Sequence, residues 1–295
     1  MADPAKPTLS SLLPCLLSLL LAASVWLSRG CVAAPAEQVS GPPPTTIPVV
    51  PGDPADDSHA ALLARTDQTA LLTECLAAYD ARPVTDFTCT FTRMEVIRGR
   101  AQPRQQAHIW FRQQPFSLAM HWTVNPPGGD RVVYVEGLYP DSQGQSQMLV
   151  RPTGEVARLL TGGSILRSPT APDVLAQTLR PVTAFGFRNT LMSMIDVCHQ
   201  AQAMGKLHYT FDGYADVNGR PCLVLTRAIS QPWREDIPAW TRIFIDRQLL
   251  LPIRLEGYDS AGRPMWEYQF DDLRLNVGLT DRDFTPNAND IPLPN

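Results

Sequence analysis

From residue 86 onward, apolar and polar positions alternate in short runs, a period of two that marks strands with one face turned to a core. Phe87, Cys89 and Phe91 alternate with Thr88, Thr90 and Thr92, so Asp86 to Ile97 is predicted as a strand, reversed at Arg98, Gly99 and Arg100. Residues 108–111 and 116–122 supply two more strands, a turn falls at 125–129, and 131–135 and 148–150 continue the series. After a break, strands return at 207–211, 220–229 and 240–245. The run IFIDRQLLLPIRLEGYDSAGRPMWEYQF from Ile243 then ends in two more, joined by a turn at Ser260, Ala261 and Gly262. On the last of them Trp266, Tyr268 and Phe270 share one face. Helical spacing fills the gaps. Leu62, Leu63, Leu71, Leu72, Cys75 and Leu76 form one stripe over 61–80, a short helix is predicted at 173–179, and Leu191, Met194, Ile195 and Cys198 mark another at 190–203.

Helices before and in the middle of a long antiparallel meander predict an α+β fold: a strongly curved antiparallel sheet, a half-barrel, with helices packed in its concavity. Such an arrangement leaves an apolar cleft able to hold one ligand. Phe87, Phe91, Trp110, Trp122, Tyr134, Phe244, Trp266, Tyr268 and Phe270 are the candidates to line it, with Phe116 and Trp240 beside them.

The start of the chain follows another pattern. Leu12 to Leu27 is dominated by leucine, too short for a comfortable membrane span but suited to the apolar core of an export signal, or to an uncleaved anchor. Leu27, Ser28, Arg29, Gly30 and Cys31 resemble a bacterial lipoprotein signal, in which the cysteine carries a diacylglyceryl group. Cleavage after Ala33, Ala34 or Ala36, and a plain packing role for Cys31, stay open as alternatives. The proline-rich stretch that follows favours an extended spacer. The expected division is residues 1–31 as a signal or anchor, 32–57 as a linker and 58–295 as a single domain. The expected location is the periplasm or cell envelope, either soluble after cleavage or attached to the membrane through residues 11–31.

Charge removes one class of partner. With 25 Lys and Arg against 29 Asp and Glu, the net charge is −4, and clusters such as Arg98, Arg100 and Arg104 are too short to track a phosphate backbone, so no nucleic acid is expected. Cys75, Cys89, Cys198 and Cys222 permit one or two disulfides in an oxidising compartment, or four buried thiols. His199 lies three residues after Asp196, a spacing that puts both on one helical face, but a solvated helix end explains the pair without a metal. No GxSxG elbow and no phosphate-binding glycine loop occurs. Glu95, Glu136, Glu256 and Glu267 are the carboxylates a glycosidase-like hydrolase would need; outward-facing charges that keep a sheet soluble are the simpler explanation. The expectation is therefore no enzyme, no cofactor and no metal.

The run from Ile243 extended to Phe284, together with DFTCTFTRMEVIRGR, VVYVEG and MLVRP, resembles the bacterial family known as domain of unknown function 1571 over residues 70–285. More distantly it is similar to the carriers and receptors that move lipoproteins to the outer membrane. That resemblance implies a half-open sheet with a helical lid and a cavity for acyl chains, hence a lipid, an acylated protein or another envelope protein as partner. In the carriers an arginine governs ligand release; Arg93 and Arg104 both fall in the matching region, and neither is singled out. Residues 162–196 are longer and richer in proline than the carrier pattern. A structural or regulatory interaction module of the envelope is the alternative function.

Overall fold

The computed structural model describes residues 45–51, 56, 58–82 and 84–293. The export-like segment 11–31, Cys31 and most of the expected linker lie outside these residues. Among the described residues no helix is long and apolar enough to cross a membrane. In chain order the elements are α1 (His59–Thr66), α2 (Gln68–Ala81), β1 (Asp86–Ile97), β2 (Arg100–Ala101), β3 (Gln105–Arg112), β4 (Ser117–Val124), β5 (Gly129–Val135), β6 (Met148–Pro152), α3 (Glu155–Leu160), β7 (Ile165–Arg167), α4 (Pro172–Leu175), α5 (Phe187–Ala203), β8 (Leu207–Val217), β9 (Arg220–Ile229), β10 (Trp240–Asp246), β11 (Pro252–Tyr258) and β12 (Pro264–Leu275).

Two antiparallel meanders form one sheet in the order β7-β6-β5-β4-β3-β1-β12-β11-β10-β9-β8, with β2 paired to β1 alone. The first meander runs outward from β1 to β7 and the second returns from β8 to β12, which then pairs with β1. The centre of the sheet is thus a pairing between distant parts of the chain, Phe91 opposite Phe270 and Glu95 opposite Trp266. The crossover between the meanders, residues 168–206, holds α4 and α5. On the sheet face it covers, Phe187 and Leu191 of α5 join Phe87, Ile109, Leu118 and Leu225 of the strands in the main apolar core.

The expected half-barrel is corrected by this topology. The sheet is open and not strongly curved: β7 and β8 are its two edge strands and, among the described residues, they do not pair with each other. Period-two alternation marks a covered face whether the sheet is curled or open, which is why it suggested more curvature than exists.

The single helix expected over 61–80 is two. Asp67 leaves helical conformation (φ −153°, ψ 92°) and its side chain accepts from the amide of Ala70, so it ends α1 and caps α2. Ser58 caps α1 in the same way through Ala61. Asp272 lies inside β12 with φ 52°, where the ladder to β1 shifts by a residue. The four cysteines of the domain are all free and buried, so the disulfide alternative is set aside. Residues 45–51, within the expected linker, lie against the sheet: Val50 and Tyr214 exchange backbone hydrogen bonds of 2.9 Å.

Candidate functional site

Between the sheet and the crossover lies a cavity of about 270 Å³. Its floor follows from register. Directly paired residues of neighbouring strands share a face, so Phe91, Arg93 and Glu95 of β1 stand beside Phe270, Tyr268 and Trp266 of β12. On the other side of β1, Phe91 pairs with Ala107 and Ala107 with Trp122, which carries the floor to β4. The rings make one surface: Trp266 and Tyr268 stack at 5.1 Å between centroids, Phe91 and Tyr268 at 5.9 Å, and Phe91 and Phe270 meet at 5.1 Å. Gly257 makes room for the indole. A Cβ there would lie 2.4 Å from Trp266 Cε2, so only glycine lets the ring lie over β11.

The roof comes from the crossover. Val174, Val182, Phe185 and Met194 line it, and the Phe185 ring meets Phe91 edge-on at 5.3 Å. Two buried charges hold the roof to the floor. Arg93 donates from Nε to Gln105 Oε1 (2.6 Å) and from Nη1 to Thr178 Oγ1 (2.7 Å), while its guanidinium stacks on Trp122 at 4.7 Å and lies 3.6 Å from Glu95. Glu95 accepts from the Tyr268 hydroxyl (2.6 Å) and the Leu179 amide (3.3 Å). Burial pulls the Arg93 pKa down against the opposing pull of Glu95. Burial also raises that of Tyr268, and the Glu95 charge adds to it, so the hydroxyl stays a donor.

Of the nine aromatic candidates, Phe91, Trp122, Trp266, Tyr268 and Phe270 line the cavity. Phe87 and Tyr134 share that face but are taken up by other rings, Phe87 by Phe111 (4.8 Å) and Phe187 (5.2 Å), Tyr134 by Phe116 (5.8 Å). Trp110 and Phe244 point to the opposite face. Trp110 packs on His121 at 4.5 Å, and Phe244 lies under the Arg254 guanidinium at 5.8 Å. These strands are covered on both sides, so apolar character does not say which phase faces the cavity.

The carboxylates are not brought together. Glu95 alone of the four faces the cavity; Glu136 is exposed, and Glu256 and Glu267 face the other side, paired with Arg254 at 2.8 and 3.0 Å. The other cavity acids, Asp173 and Asp236, are each tied to an arginine, Arg167 (3.2 Å) and Arg234 (3.0 Å). His108 and His121 are direct neighbours across β3 and β4, and the Asp196 carboxylate accepts from Gln200. Among the described residues no group of three or more His, Cys, Asp or Glu side chains is arranged to hold a metal. Pattern reading missed Phe185, which sits in a proline-rich loop without periodicity, and Arg227, a charge inside an apolar strand.

Residues 84–292 match the sequence profile described as protein of unknown function DUF1571, and the chain belongs to that family. No curated protein matches it. Among solved structures it is similar to the Pseudomonas aeruginosa MucA/MucB complex (16% identity, 76% of this chain and 62% of that one, TM-score 0.42). It is also similar to the Mycobacterium tuberculosis lipoprotein LppX (12%, 73% and 99%, TM-score 0.37) and to a LolA superfamily protein from Nitrosomonas europaea (11%, 74% and 98%, TM-score 0.23). Similarity at these values transfers no ligand or partner.

Proposed function

We propose that this chain, whose family description assigns no activity, is a non-catalytic protein of the cell envelope that holds a lipid, or the acyl chain of an acylated protein, in the cavity between its sheet and its crossover. The observation that supports this reading is the floor of Phe91, Trp122, Trp266, Tyr268 and Phe270 under an apolar roof. A cavity built this way needs no reagent. Removing about 400 Å² of acyl surface from water contributes on the order of 10 kcal/mol before association costs. The leucine-rich start of the chain supports export to the periplasm or envelope. Arg93 and Glu95 give the roof a polar latch, so entry of a chain would exchange those hydrogen bonds for apolar contact.

The test is extraction with organic solvent of the full chain purified after export in a bacterial host, with mass spectrometry of what it carries. A variant with Trp266→Ser and Phe270→Ser, its fold checked by circular dichroism, is treated alike. Stoichiometric lipid on the parent and little on the variant is the expected result; an empty, folded parent would sink the proposal. In that event the interaction-module reading gains, because Val156, Leu159 and Leu160 of α3 are 73%, 84% and 81% exposed and offer an apolar face to a protein partner.

A further inference from the structure

The charges around the cavity do not balance. Its three lining carboxylates each have an arginine of the lining as partner: Glu95 has Arg93, Asp173 has Arg167 and Asp236 has Arg234. Two lining arginines remain. Arg180 is exposed and lies over the Trp266 and Tyr268 rings at 5.9 and 6.0 Å. Arg227 is only 4% exposed, and among the described residues no carboxylate stands within ion-pair distance of it. Among the described residues its one hydrogen bond runs from Nη2 to Thr241 Oγ1 at 2.8 Å, and its buried Nε has no acceptor there. A guanidinium offers five donors and cannot discharge itself by losing a proton. Arg227 is thus a buried cation with unused donors on the wall of an apolar cavity, in a chain whose net charge is −4.

Its place relative to the aromatic floor is set by the ladders. Arg227 pairs with Thr241, Thr241 with Gly257 and Gly257 with Trp266, so the guanidinium strand and the indole strand share a face. Three interstrand steps separate them, about 14 Å at ~4.8 Å each. Resting on the lipid-binding reading above, we infer that the cavity selects an amphiphile with an anionic head, a carboxylate or a phosphate, seated on Arg227, its tail crossing β10 and β11 to the rings of β12 and β1. Arg180, over those rings, adds positive field from the roof side.

The experiment titrates the full, delipidated chain with decanoate, decyl phosphate, decanol and decyltrimethylammonium, by calorimetry and by tryptophan fluorescence. Decanoate or decyl phosphate is expected to bind at least about ten-fold tighter than decanol, one charge-assisted hydrogen bond being enough for that ratio. The cation is expected to bind most weakly. Whichever anion is preferred separates a fatty-acid head from a phospholipid-like one. Arg227→Met, its fold checked by near-ultraviolet circular dichroism, should bring both anions down to the affinity of decanol, and Arg227→Lys should keep part of the preference. Equal affinity for all four probes on the parent overturns the anionic head and leaves the apolar cavity standing. Retention of the preference in a folded Arg227→Met protein overturns the assignment to this residue. Failure of every probe to bind overturns the lipid-binding reading itself, and the inference with it.

Discussion

Arg227 and Arg242 sit on neighbouring strands, one residue out of register, and so on opposite faces of the same sheet. Both are almost wholly buried. Arg242, on the outer face, lies 3.2 Å from Glu256 and 3.7 Å from Asp212, and Glu256 also takes Arg254 at 2.8 Å and the Tyr258 hydroxyl at 2.9 Å. Residues 45–51 lie beside this network, Thr45 donating to Glu256 and Arg254 donating to Thr46. Arg227, on the cavity face, has a threonine hydroxyl and nothing more among the described residues. A buried cation neutralised by carboxylates of its own fold is a structural device; one left without an anion beside a cavity is placed to receive one that the chain does not contain.

The sharpest way to break that contrast is to remove the shared anion of the outer face. Glu256→Gln leaves Arg242 and Arg254 buried without their common partner, and chemical denaturation should show a loss of about 3–5 kcal/mol. A loss below about 1 kcal/mol, the range of exposed pairs, would mean that water reaches this network and that the outer face is not the closed one.

Next in size is the floor itself. Gly257→Val places a branched side chain where the Trp266 indole lies, and overpacking of this kind costs about 1–3 kcal/mol. Trp266 emission should shift, and uptake of a decyl chain should fall with it. Unaltered emission would separate Trp266 from Gly257 and undo the floor as described. Arg227→Met should change stability by about 1 kcal/mol or less, since only one hydrogen bond goes with it. A cost equal to that of Glu256→Gln would make Arg227 structural and erase the difference between the faces.

The sequence carried the elements of both meanders except the short β2 and β7, and most of the floor, because Trp266, Tyr268 and Phe270 alternate cleanly on one strand and Phe91 on another. It did not carry which meander meets which. The pairing of β1 with β12 joins residues near 90 to residues near 270, and no local pattern encodes so long a closure. Facing failed where strands are covered on both sides: Trp110 and Phe244 are as apolar as their neighbours, yet one residue out of phase with the cavity. Curvature failed for a related reason, since alternation records burial and not whether a sheet curls. Arg93 was visible as a candidate, but only the fold brings Thr178, Gln105 and Glu95 to it.

The smallest effect belongs to the β8 edge of the sheet. Asp56 accepts from the Tyr214 hydroxyl at 2.7 Å and from Arg247 Nη2 at 2.8 Å, close to where Val50 bridges Tyr214. The tyrosine hydrogen bond, with help from Ser58 and Arg247 and against some desolvation, lowers the carboxyl pKa from 3.8 to about 2. A carboxylate held below its ordinary pKa stabilises the folded form fully above about pH 4, and that contribution is lost as the pH falls through about 2. The Asp56 carboxyl carbon, followed by nuclear magnetic resonance, should therefore titrate near 2, and Asp56→Asn should abolish the pH dependence of the Tyr214 signals. A midpoint near 3.8 would mean that Tyr214 and Arg247 do not hold this carboxylate. Because neither Asp56 nor the residues it bonds line the cavity, decanoate affinity should stay the same in Asp56→Asn, whereas a parallel loss would show that the β8 edge is coupled to the cavity.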